Sequence, residues 1–205
     1  MIWNKHNNLE GTHAFLSASQ STWLRKNENT LIDSYINSYA IQIGTLLHAY
    51  AKERIMFREK LRKSDLGSVR FELIRKRIPE FAINLDLIFP TLMSYVNDAI
   101  GFNMDPEVLL YYSDLCYGTA DSIQLDGKLL RIHDLKTGVK EAKMDQLMIY
   151  AALFFLEYGQ KPEHVNTELR IYQCNEVGVM KPDAKQIREI MDAIVASTKL
   201  LQKLR

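Results

Sequence analysis

The feature that most limits how this chain can fold is Asp126-Gly127, set between two stretches of alternating apolar residues, Leu115 to Ile123 and Lys128 to Lys136. An Asp-Gly pair in that setting is the strongest short signal for a two-residue β-hairpin turn. The turn predicts a register. With Leu125 opposite Lys128, Asp121 falls opposite Ile132, and residues opposite or two apart in an antiparallel pair share a face. Asp121, Asp134 and Lys136 are therefore expected to point the same way. Diagonal neighbours lie roughly 7 Å apart, close enough for two carboxylates to converge on one cation.

The rest of the chain supplies the surroundings of this hairpin. Glu107 to Tyr112 reads as a strand preceding it, so three consecutive strands form an antiparallel meander. Ala142 to Tyr158 is apolar almost all round, which predicts a helix buried against the sheet, with Gln146 and Tyr150 as its polar exceptions. Val165 to Cys174 predicts a further strand, and Asp183 caps an amphipathic closing helix running to Arg205. Upstream the pattern is helical. Ser17, with Gln20 at capping-box spacing, predicts a short helix to about Lys26; Leu31 to about Arg62 predicts a long one. Ser64 to Gly67 marks a break with a helix starting near Ser68, and Leu92 to Ile100 predicts another ended by Gly101, with Pro79 and Pro90 as punctuation. The fold class expected is α+β, three layers of α/β/α, with a central mixed sheet of four to five strands and a helical N-terminal half.

At 205 residues, with no Pro/Gly/Ser-rich linker, the chain is expected to be one domain, 1–205. Its 47% apolar and 25% charged residues suit a soluble protein, and no apolar run reaches the roughly 18 residues of a membrane span. Met1 to Glu10 is polar and lacks a signal-peptide core, so a cytoplasmic compartment is expected. Cys116 and Cys174 are too few for a disulfide scaffold. The net charge of +1 names no nucleic-acid partner, but ten Lys or Arg against four Asp or Glu lie between Lys52 and Arg77. Such a run serves either as a solvated helix face or as a phosphate-contacting surface.

Two carboxylates and a lysine on one strand face suit phosphodiester hydrolysis. Asp121 and Asp134 are hard oxygen ligands for Mg²⁺ or Mn²⁺, and Lys136 is placed to orient a water or to stabilise charge growing on phosphate. Taken alone, an Asp-x-Lys triplet is equally a surface salt bridge. Gln146 and Tyr150, four apart on a helix, meet on one face and need partners if buried. His48, four residues after Gly44, is by pattern alone an ordinary packed or surface residue.

Taken in order, Gly44 to His48, Glu107, Gly118 to Asp121, Asp134 to Lys136, and Gln146 to Tyr150 resemble the motif series of the PD-(D/E)XK nucleases, in their RecB-like, phage-exonuclease-like branch. The resemblance spans roughly Ser17 to Cys174. It implies that His48, Asp121, Asp134 and the carbonyl of Leu135 hold Mg²⁺ or Mn²⁺, that Lys136 is the catalytic lysine, and that Gln146 and Tyr150 position DNA. Glu107 joins them only if the turn before the second strand places it opposite Asp121: two residues at Ser113-Asp114 put it on the wrong face, three on the right one. Two departures are evident. Two cysteines cannot ligate the iron-sulfur cluster some relatives carry, and Asp134 stands where many have Glu, which leaves the metal preference open.

The function so implied is a metal-dependent deoxyribonuclease, an exonuclease acting on DNA ends in recombination, repair or phage replication, in a bacterial or phage-infected host cytoplasm. Self-association, or a helicase or recombination partner, would help a near-neutral domain hold DNA processively. The alternatives are a non-catalytic nucleic-acid-binding or inhibitory protein that keeps the fold, and an unrelated α+β binding protein. The last predicts no cleft in which His48, Asp121, Asp134 and Gln146 converge.

Overall fold

Five strands form one mixed sheet in sequence order. They are β1 (Asp105–Ser113), β2 (Cys116–Asp126), β3 (Leu129–Leu135), β4 (Asn166–Gln173) and β5 (Glu176–Met180). The computed structural model describes residues 5–9 and 14–204; part of the polar Met1 to Glu10 stretch, and Arg205, lie outside them. β1, β2 and β3 are the predicted antiparallel meander, while β3 and β4 are parallel. A parallel pair needs a crossover, and α5 (Asp145–Glu157) provides it.

Among the described residues four α-helices precede the sheet: α1 (Glu28–Asn37), α2 (Ala40–Met56), α3 (Leu66–Arg75) and α4 (Leu85–Gly101). On one face Leu47, Ile55, Leu92 and Val96 from α2 and α4 close over Leu135 and Tyr172. On the other, Leu147, Ala151 and Phe155 of α5, with Ile187 of α6 (Ala184–Gln202), pack on Leu110, Leu130, Ile132 and Leu169. The architecture is the expected α+β with helices on both faces. Among the described residues no helix is long and apolar enough to cross a membrane.

Several boundaries differ from the sequence expectation, each for a local reason. The long Leu31–Arg62 helix is two helices, parted where the Ser38 hydroxyl donates to the Tyr35 carbonyl at 2.6 Å and offers the backbone a turn instead of the ladder. Ser17 does not cap a helix: its hydroxyl meets that of Ser19, Gln20 leaves helical geometry, and Ala18–Arg25 is 3-10. α4 begins seven residues before Leu92, capped by Asn84, and carries Pro90 inside it. β5 was not foreseen because its turn is Cys174-Asn175, both at positive φ; Asn accepts that conformation readily, but Cys is no turn signal. Asp183 caps α6 as expected, in a reciprocal box with Gln186.

The central hairpin also turns one residue later than predicted. Gly127 and Lys128 are its central pair, with Gly127 at φ 57° in the first position, and Asp126 pairs with Leu129. The register is thus displaced by two. An even shift keeps every side chain on its face, but it sets Asp121 beside Asp134 rather than Ile132.

A candidate metal-binding active site

The site forms where regular pairing of β1, β2 and β3 breaks down. The β1–β2 turn has two residues, Asp114-Leu115, but the ladder bulges between Tyr111 and Ser113, and the extra residue restores the register a three-residue turn would give. Glu107 therefore faces Asp121, between the Pro106↔Ser122 and Val108↔Ala120 pairs. Glu107 itself has φ 54°, the left-handed region. Across from it, Ala120 and Ile123 pack into the same core although three residues apart, so the in-out alternation of β2 slips once around Asp121. The expected common face is thus replaced by a kink that aims Asp121 at the gap opening between β2 and β3.

That gap is what Asp121 fills. The β2–β3 ladder ends at Ser122↔His133, and the next N–H in need of a partner, that of Leu135, donates to Asp121 Oδ2 at 2.8 Å. The other oxygen, Oδ1, lies 3.4 Å from His48 Nδ1. His48 reaches it because α2 runs close to the segment after β3: a Cβ on Gly44 would already be in van der Waals contact with Thr137 Oγ1, at 3.4 Å. Ligand atoms of His48, Glu107 and Asp121 all lie within 4.8 Å of one another.

Asp134 stands alongside, 1% exposed. Its Oδ1 accepts from Lys136 Nζ at 3.0 Å; its Oδ2, also 3.0 Å from Nζ, has no aligned hydrogen-bond donor among the described residues. Lys136 donates next to Gln146 Oε1 at 2.8 Å, and Gln146 Nε2 donates to Tyr150 Oη at 2.8 Å. Gln146 and Tyr150 thus hold the lysine, with Gln146 exposed on its outer side. The Tyr150 ring occupies the place of a side chain at position 118, where a Cβ would meet Cε1 at 2.8 Å. Glycine at Gly118 is what lets the ring lie on the strand.

The electrostatics describe a site short of positive charge. Burial raises the Asp134 pKa, and the Asp121 carboxylate raises it further, against the opposing effects of Lys136 and His48. Burial disfavours the charged form of His48, but Asp121, Asp134 and Glu107 outweigh it and raise its pKa above the ordinary value. Three carboxylates thus face one lysine and one imidazole, and a buried carboxylate oxygen lacks a donor. This donor set fits a hard divalent cation: oxygen ligands suit Mg²⁺ and Mn²⁺, and a histidine among them favours Mn²⁺.

The structure brings His48, Glu107, Asp121, Asp134, Lys136, Gln146 and Tyr150 to one place, and the Leu135 backbone with them. One residue escaped the sequence reading. Gln173, at the end of β4, accepts from the Ala142 N–H at 3.0 Å and donates to the carbonyls of Gly138 and Lys140, both at 2.7 Å. Its amide acts as a peptide group, tying down the irregular segment that joins Lys136 to α5. Nothing in a glutamine closing an apolar strand signals this. Comparison with protein-family models, curated proteins and solved structures returned no match.

Proposed function

We propose that this protein is a divalent-metal-dependent deoxyribonuclease, using Mg²⁺ or Mn²⁺ to hydrolyse DNA phosphodiester bonds. The observation that carries the reading is the convergence of His48, Glu107 and Asp121 beside the buried Asp134–Lys136 pair. His48, Glu107, Asp121 and Asp134, with the Leu135 carbonyl, would hold the cation. When bound, such a cation supplies Lewis acidity toward a phosphate oxygen and lowers the pKa of a bound water.

The chain's own groups do the rest. Lys136, fixed between Asp134 and Gln146, presents its ammonium where negative charge grows on the phosphate as water attacks, and a preformed donor needs no reorganisation. Gln146 and Tyr150 restrict that ammonium to one direction. Resemblance to the RecB-like branch supports action on DNA ends, hence an exonuclease in recombination, repair or phage replication.

The test is incubation of linear and circular DNA with Mg²⁺ or Mn²⁺, comparing the protein with Asp134→Ala and Lys136→Ala. Losses on the order of 10²–10³-fold are expected in Lys136→Ala, and at least as much in Asp134→Ala. Activity unchanged in both variants overturns the mechanism. Metal-independent DNA binding without turnover by the unaltered protein moves the assignment to a non-catalytic DNA-binding protein.

A further inference from the structure

Resting on the nuclease reading, we infer that the loop Arg58 to Lys63 is a second DNA contact, gripping backbone phosphates of a duplex whose end lies in the site. The basic run from Lys52 to Arg77 becomes a specific surface once its acids are accounted for. Glu59 pairs with Arg54, Glu72 pairs with Arg75 at 2.7 Å, and the Asp65 carboxylate accepts the Arg62 N–H at 2.7 Å. Glu53 faces the groove between α2 and α3. Lys60, Arg62 and Lys63 have no acidic partner within 4.0 Å among the described residues, and all three are exposed.

The loop that carries them is built, not merely charged. Leu61, between Lys60 and Arg62, is 3% exposed and packs in the α2–α4 core. Its N–H donates to Asn97 Oδ1 at 2.8 Å and its carbonyl accepts from Asn97 Nδ2 at 2.9 Å. Arg58, at φ 56°, reverses the chain as α2 ends, and its Nη1 donates to the Met104 carbonyl at 3.2 Å. Anchored at Arg58 and Leu61, the loop holds three cations outward with little backbone freedom left to lose on binding.

Its position relative to the site follows from the same contacts. Met104 precedes Glu107 by three residues, about 10 Å of extended chain. His48 precedes the end of α2 by eight residues, about 12 Å of helix, and exposed Lys52, one turn beyond His48 on the same face, lies on that path. At 3.4 Å rise per base pair, these spans put the Arg58 end of the loop within about three to four pairs of the phosphate being cleaved, with Lys60, Arg62 and Lys63 beyond it. Phosphate is the chemistry that three unpaired, pre-placed cations beside a nuclease site recognise.

The experiment measures binding of a fluorescent 20-base-pair duplex by anisotropy across a salt series, with chelator present so that no cleavage occurs. The protein is compared with Lys60→Gln/Arg62→Gln/Lys63→Gln and with a control of equal charge change on α6 and its C-cap, Lys185→Gln/Lys199→Gln/Lys203→Gln. Each neutralised phosphate contact removes about 0.9 from the slope of log K against log salt. The loop variant is expected to lose about 2.7, and the control to keep the original slope. An unchanged slope in the loop variant, or an equal fall in the control, overturns the inference. If melting shows that the triple variant is unfolded, Lys60→Gln alone is read instead, with an expected fall of about 0.9. Should the unaltered protein neither bind this duplex nor, with Mg²⁺ or Mn²⁺ restored, cleave it, the nuclease reading fails together with this one; cleavage with an unchanged slope removes the loop alone.

Discussion

Glu107 offers a test in which stability and metal binding are expected to move in opposite directions. Its carboxylate is aimed at His48 and Asp121 by a left-handed backbone, φ 54°, that a residue with a Cβ adopts at a cost of about 1–2 kcal/mol. Glu107→Ala and Glu107→Gly both delete the carboxylate, but only alanine keeps the strain. In a regular strand glycine is the less stable of the two by roughly 0.5–1 kcal/mol, through its extra freedom in the unfolded chain. Here strain relief exceeds that penalty, leaving glycine ahead by about 0.5–1 kcal/mol. For a chain of this size the difference is about 1–4 °C in melting temperature. Thermal and urea unfolding in chelator give the stability order, and calorimetric Mn²⁺ titration gives the affinity, expected to fall roughly tenfold or more in both variants. Alanine equal to or more stable than glycine would refute the claim that backbone strain aims this carboxylate. Unchanged Mn²⁺ affinity would remove Glu107 from the site.

Two further predictions concern the supports of the site. Gln173→Ala frees the segment carrying Lys140 and Lys143; loss of even about 1.4 kcal/mol of local order raises trypsin cleavage there roughly tenfold. An unchanged cleavage rate would mean the clamp contributes nothing. Behind Asp134, burial and the positive charges of Arg170 and Arg131 hold the His133 pKa down to about 3, so the imidazole is neutral in the folded protein. The unfolded chain binds a proton near pH 6.5 that the native one refuses, so this contribution is complete above that pH and is lost as pH falls toward 3. Between pH 7 and 5, metal-free wild type should lose about 2 kcal/mol more than His133→Leu in urea unfolding; parallel losses would show that His133 is not the group responsible.

Side-chain periodicity carried most of the fold. The meander, the apolar crossover helix and the capped closing helix all follow from spacing, because burial enforces it: Leu130, Ile132, Leu147 and Ala151 are each fully enclosed. Periodicity is blind to a displacement of two, which is why it sets the hairpin turn one residue early while the paired residues Ile123 and Ile132 keep their expected face and only Asp121 departs from it. It is blind also to a turn made by Cys174 and Asn175, and to a serine whose side-chain bond ends one helix before the next begins.

The site was legible as a set of residues but not as geometry, and the reason lies in how it is made. Its candidate ligands converge where the sheet abandons its own rules: a bulge at Tyr112, a left-handed residue at Glu107, an alternation slip at Asp121 and a ladder that stops at His133. Strict alternation would have kept Asp121 in the plane of its neighbours and left Leu135 hydrogen-bonded to β2. Each departure frees backbone groups, and side chains take them up, Asp121 at the Leu135 N–H and Gln173 along the segment after Lys136. The carboxylate of Asp121 is thus both a candidate ligand and part of the backbone's own hydrogen bonding. Asp121→Asn keeps an oxygen for Leu135 while removing the charge, whereas Asp121→Ala opens the sheet as well. Only the first substitution isolates metal binding from fold, which makes it the informative one at this position.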